Sequence, residues 1–394
     1  SARKACEYSG HRTACCLGGR RARQTPFLRY IRADYHVAFD PICPPTVDKE
    51  IAVKELTSRE RISRILKREP VDRIGVFEHF WGDTRKAWIE AGDIREDENL
   101  HDHFGFDITT CGGLNIVADI DFVAEVLEED EETQLVRDGN GTIMRRHKLH
   151  ASTPEHVDFT VKDRTGWEDF VVPRLAYDRR RINFEGYRNA RTAAAQKERY
   201  FCWSAAHVFE IMKSVAGHEH MLVGMALDPD WVKEMADTYS RLIVEHMETL
   251  FAEEGKPDGI WFYEDMGFKE RPFMSPAMYE ELVVPAHKLS FDFAHSLGLP
   301  VIVHSCGFVE GLIPGLLDAG MDCLQVMEVK AGMDCRRLKA QYGDQLSFIG
   351  GIDVRKLYTN DLAQIEQEIM DRVPAMMEGS GYVLHSDHSI PNTV

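Results

Sequence analysis

The chain has no cysteine pair in CxxC spacing, no GxGxxG and no GxxxxGK[ST]. Without a CxxC framework, its nine scattered cysteines point to a reducing, cytoplasmic setting rather than to a disulfide-stapled secreted domain. Without a glycine fingerprint, an open sheet that cradles a nucleotide phosphate has no support. No apolar run approaches the length of a membrane span. Positive charge is also scarce. Lys and Arg number 47 against 65 Asp and Glu, a net charge of −18, which speaks against nucleic acid and against an anionic membrane surface as partners. Hydrophobic residues at 44% and charged residues at 28% are ordinary for a globular protein with a sizeable core. A chain of 394 residues suits two average domains or one large α/β barrel.

The two ends differ from the middle. Residues 1–48 are Arg-rich, contain Cys15-Cys16 and Arg20-Arg21, and lack periodicity; the first methionine is Met144. This segment is expected to be a disordered or non-native extension. Residues 49–394 are expected to form one barrel, truncated at its C-terminus, because Val394 follows directly on an apparent active-site loop.

Within that barrel region the sequence predicts eight short buried strands: Arg73–Glu78, Phe106–Cys111, Tyr200–Trp203, Gly259–Tyr263, Pro300–His304, Met321–Val326, Leu346–Ile349 and Tyr382–His385. Helical segments such as Asp230–Glu254, Pro276–Leu297, Val309–Ala319 and Asp361–Glu378 separate the later ones. Strands alternating with helices predict a parallel sheet, and eight of them a (β/α)8 TIM barrel. A doubly wound open sheet is the runner-up. Between the second and third strands, Thr133–Arg137, Thr142–Lys148 and Val157–Lys162 read as a small antiparallel meander, with Asp138-Gly-Asn-Gly141 as a turn. The acidic run Glu128–Glu132 reads as a solvated stretch.

In such a barrel the chemistry lies at the C-terminal ends of the strands. Strand one ends in Glu78-His79 and then Trp81, strand four in Glu264-Asp265, and strand five in His304-Ser-Cys306-Gly307. Strand six ends in Glu328, strand seven in Asp353, and strand eight in His385-Ser-Asp387-His388. Residues i and i+2 of a strand share a face, so His304 and Cys306 point the same way. An imidazole beside a thiolate suits zinc. A buried histidine and an inert core cysteine are the plain alternative for this pair. Catalytic zinc usually has three protein ligands and one open position. His304, Cys306 and His388 could supply them, with Glu328 or His385 as substitutes. Glu264, Asp265 and Glu328 are candidates for orienting substrate or moving protons, and His79, Trp81, Asp353 and His385 for lining it. His101-Asp-His103 and His218-Glu-His220 read as solvated polar segments, and Cys323 and Cys335 as packing residues.

Taken in order, several motifs carry a resemblance. They are Asp258-Gly-Ile-Trp-Phe-Tyr-Glu264-Asp265-Met-Gly267, Met274-Ser-Pro276, Val303-His-Ser-Cys306-Gly307, Val326-Met-Glu328, Phe348-Ile-Gly-Gly-Ile-Asp353 and Asp387-His-Ser-Ile-Pro391. From about Leu56 to Val394 the chain resembles the uroporphyrinogen decarboxylase superfamily. Within it, the chain is closest to the zinc-dependent methyltransferases that move a methyl group between a corrinoid protein and a thiol. The resemblance implies a (β/α)8 barrel, a Zn2+ cofactor, a methylcobamide carried by a partner corrinoid protein, and a small-molecule methyl donor or acceptor. In those methyltransferases a His-x-Cys after strand five and a Cys after strand eight hold zinc. The first two match His304 and Cys306, while the third position is His388. Decarboxylation in porphyrin biosynthesis is the alternative. The arginine block that grips carboxylates in the decarboxylases is missing, however: strand one runs into Phe77-Glu-His-Phe-Trp-Gly-Asp-Thr-Arg85. A barrel without chemistry that binds a corrinoid protein is the third reading.

Overall fold

The computed structural model describes residues 55–149 and 153–394; the expected extension over residues 1–48 lies outside them. The described chain opens with the helix Ser58–Leu66. Thr57 accepts from Glu60 N, and the Glu60 side chain accepts from Thr57 N, a reciprocal cap that fixes where the helix begins. Strands β1 (Gly75–Val76) and β2 (Ile108–Cys111) follow, with the helices Gly82–Ala91 and Leu100–Phe104 between them. A separate sheet comes next, made of β3 (Glu125–Glu129), β4 (Thr133–Arg137), β5 (Ile143–His147) and β6 (Glu155–Asp158). The chain then returns through β7 (Tyr200–Ala206), β8 (Gly259–Tyr263), β9 (Val301–Ser305), β10 (Cys323–Val326), β11 (Ser347–Gly350) and β12 (Tyr382–Leu384).

The eight barrel strands lie in the order β1-β12-β11-β10-β9-β8-β7-β2, and every ladder between them is parallel. This is a nearly closed α/β TIM barrel, as expected. The seam between β1 and β2 is bridged by Asp107. Its N–H donates to Val76 O at 2.8 Å, and its carboxylate accepts from Val76 N at 2.8 Å, Arg61 at 2.8 Å, Arg73 at 2.8 Å and Ser58 Oγ at 2.7 Å. Arg61 and Asp107 are both buried, so this ion pair is held away from water with its hydrogen bonds satisfied.

The antiparallel insertion has four strands, not three. Its extra member, Glu125–Glu129, overlaps the acidic run expected to be a solvated stretch; the segment is mostly exposed and pairs with β4. The insertion docks where the helix Val208–Leu227 breaks at Gly217 (φ 71°). A Cβ there would come within 2.4 Å of the Phe159 ring, so glycine permits both the turn and the contact. The expected helix Pro276–Leu297 is two helices, Pro276–Leu282 and Val284–Ser296, because Pro285 has no N–H to carry the ladder through. No helix among the described residues is long and apolar enough to cross a membrane.

Candidate functional site

The site is built from strand ends that alternate. On β8 and beyond, Tyr263 and Asp265 face the mouth of the barrel, while the intervening Glu264 is 0% exposed and faces the helices. On β9, His304 and Cys306 share the inner face and line the same cavity of about 250 Å³. His79 and Trp81 from the first strand end, Gln325 from β10, and His385 and His388 from the last strand end complete its wall, with Thr153 from the insertion at its edge. Cys306 Sγ lies 3.2 Å from His304 Nε2, and Asp265 Oδ1 is 3.3 Å from the same nitrogen. Gln325, paired with His304 in the β9–β10 register, holds His304 Nδ1 from the other side.

Gly307 ends the motif for a physical reason. It has φ 74° and lies against the backbone of Gly267, where a Cβ would come within 2.3 Å. The two loops therefore touch main chain to main chain, and Phe308 N donates to Phe268 O at 2.8 Å. This clasp presses Asp265 and Cys306 together, and Cys306 N donates to Asp265 Oδ1 at 3.1 Å.

The charges in the pocket follow from these contacts. Burial pushes the Asp265 carboxyl upward, but the hydrogen bond and charge of His304 hold it well below the usual carboxylate range. Burial opposes charge on His304, yet Cys306 and Asp265 raise it well above an ordinary imidazole. Burial raises the Cys306 thiol, with His304 opposing. His385 is driven down to about 4 by burial, and His79 is also lowered by burial and by the neighbouring imidazoles.

Asp265, His304 and Cys306 bring their ligand atoms within 4.8 Å of one another. Imidazole and thiol donors about 3 Å apart suit a tetrahedral zinc with bonds near 2.0 and 2.3 Å. His388 lines the same pocket, stacked on Trp81 at 5.9 Å, but it is not part of that close group of three. Its Nδ1 is buried and has no hydrogen-bond partner among the described residues.

Three expected site residues stand behind the pocket instead of in it. Glu264 accepts from His287 Nε2 at 2.5 Å, His207 Nδ1 at 3.2 Å, Phe209 N at 3.1 Å and Glu210 N at 2.8 Å. Burial opposes its ionisation, but the two histidines bring its pKa down to about 2. Glu264 therefore caps a helix and braces the wall. Glu328 accepts from Gly307 N at 2.6 Å, so it holds the glycine of the clasp. Asp353 caps the helix Val354–Leu357 and pairs with Arg355 at 2.7 Å. Two histidine segments expected to be solvated are in part buried: the His103 side chain is 4% exposed, and His218 packs on Phe273 at 4.5 Å. Cys323 and Cys335 are buried packing residues, as expected.

The sequence reading passed over Gln325 and Tyr263. Both were within reach of it, since alternation along β10 and β8 turns them inward.

Residues 201–394 match the family model of uroporphyrinogen decarboxylase (URO-D). This stretch is similar to the URO-D family. Over 152 residues the chain is 28% identical to the methylated-thiol--coenzyme M methyltransferase of Methanosarcina mazei. That match takes in 39% of this chain and 38% of the relative's length. A solved methyltransferase from Methanosarcina mazei superposes with a TM-score of 0.56 over 85% of this chain and 94% of its own, at 16% identity. At 16% identity that likeness is one of fold, an α/β barrel over most of the chain.

Proposed function

We propose that this URO-D-type barrel is a zinc-dependent methyltransferase that moves a methyl group between a corrinoid protein and a thiol or similar small acceptor. The observation that carries the reading is the Cys306–His304 pair, 3.2 Å apart at the C-terminal mouth of the barrel, in a chain whose curated relative is named a thiol methyltransferase. His304 and Cys306 would hold the metal, with His388 from the last strand end as the third ligand. The buried, unpartnered Nδ1 of His388 is a donor available to it. Zinc at that position would lower the pKa of a thiol and present it as a thiolate at neutral pH.

The chain's own residues prepare that step. Gln325 fixes the tautomer and ring plane of His304 by engaging Nδ1, the outer-shell role that ligating histidines need. Asp265 stands against His304 and the Cys306 N–H, where its carboxylate, kept ionised by His304, holds the imidazole ring and the Cys306 backbone in place. Trp81, Tyr263 and His79 exclude water and orient the acceptor. The methylcobamide would arrive on a separate corrinoid protein covering the mouth, in the cytoplasm.

A cavity of about 250 Å³ is smaller than the roughly 300–1,000 Å³ typical of drug-sized ligands. It favours a small acceptor over the tetrapyrrole that decarboxylation would require. Incubating the purified protein with free methylcobalamin and a thiol, and following loss of the methyl–cobalt absorbance, tests the reading. Transfer that depends on Cys306 supports it, and porphyrinogen decarboxylation without methyl transfer overturns it.

A further inference from the structure

The pocket beside Cys306 offers little to an anion. Among the described residues, its walls are imidazole, indole, phenol, hydroxyl, amide, thiol and a single carboxylate, with neither lysine nor arginine. The one carboxylate, Asp265, is already engaged by His304 at 3.3 Å. The lysines whose fields reach this region are engaged elsewhere: Lys213 binds Glu210, and Lys330 binds Glu328 at 3.0 Å. Further negative charge stands just behind the wall. Asp387, 1% exposed, accepts from Val329 N and Val354 N at 2.8 Å each. Trp81 and Tyr263 line the pocket, and aromatic walls favour apolar or cationic groups over anions.

We infer that the acceptor taken beside Cys306 is a small thiol of zero or positive charge, not one bearing a sulfonate or carboxylate. This rests on the methyl-transfer reading of the site. A metal would not reverse the argument. A divalent ion held by the Cys306 thiolate, with the Asp265 carboxylate beside it, would leave no net positive charge, so a second anionic group on the acceptor would be desolvated without a partner.

Three thiols on one two-carbon skeleton test it: 2-mercaptoethanol, cysteamine and 2-mercaptoethanesulfonate. Each is titrated into the full chain loaded with Co(II), and the sulfur-to-cobalt absorption gives the dissociation constant. The neutral and cationic thiols should bind roughly tenfold to a hundredfold more tightly than the sulfonate, the scale of one unpaired charge at this distance in a partly buried site. Equal or tighter binding of the sulfonate overturns the inference while leaving methyl transfer standing. If no thiol perturbs the cobalt spectrum, the methyl-transfer reading falls, and the inference with it. A second variant reads the same claim in reverse. Thr153→Lys places an ammonium at the pocket edge and should tighten the sulfonate by about tenfold while weakening cysteamine; an unchanged ratio of the two dissociation constants in that variant also counts against the inference.

Discussion

Glu264 and Asp265 are adjacent in the chain and work on opposite sides of the barrel wall. Asp265 reaches His304 Nε2 at 3.3 Å in the mouth, while Glu264 reaches His287 Nε2 at 2.5 Å behind it. The pleat of a strand end sends successive residues to opposite faces. Two carboxylates that look equivalent in sequence therefore become a pocket group and a brace.

That division makes different outcomes for the two substitutions. Glu264→Ala strands two buried histidines and two helix N–H groups and should cost about 3–5 kcal/mol in urea unfolding. Glu264→Gln should cost less and leave metal content unchanged. Asp265→Asn should alter metal affinity with little loss of stability. Metal loss in Glu264→Gln at full stability would contradict the assignment.

The seam makes a stability prediction far from the site. Asp107 pairs with buried Arg61 at 2.8 Å and joins β1 to β2 through Val76. Asp107→Ala should lower stability by about 3–5 kcal/mol, because it leaves the Arg61 charge short of a partner. Chemical denaturation would show this as a lower midpoint, and an unchanged midpoint would mean that the seam is held by other contacts.

Glu78 should set a pH dependence of stability. Burial raises its pKa from 4.5 to about 8, so the folded state prefers it protonated. This contribution is fully present below pH 4.5 and is lost as pH rises through about 8. His385, which lies 3.3 Å from Glu78, has the opposite sign. Burial lowers it from 6.5 to about 4, so its contribution is present above pH 6.5 and lost as pH falls through about 4. Glu78→Gln should flatten the alkaline side of the stability profile and leave the acid side in place. A variant profile parallel to the wild type above pH 5 would rule out the role given to Glu78.

The positions of the eight barrel strands were readable because each is a short apolar run ending in polar residues, and period-two alternation correctly put His304 and Cys306 on one face. The acidic strand β3 and the two-part helix after Met274 were not readable in this way. Charge alone does not reveal a pairing partner, and the break at Val283 depends on a proline that sequence statistics tolerate near a helix start. At the strand ends, the facing of each side chain was not readable. Glu264, Glu328 and Asp353 are turned away by one-residue phase or recruited as caps, and that phase is fixed by packing against helices distant in sequence.

Metal content tests the central claim most directly. Protein purified without chelator should hold about one zinc per chain, as a catalytic site with one open position does. Cys306→Ala should lose most of it while circular dichroism shows the barrel intact, and His388→Ala should weaken it. Zinc kept in His388→Ala but lost in Asp265→Asn would move the third ligand to Asp265. A metal-free wild type that also fails to take up added zinc would contradict the account.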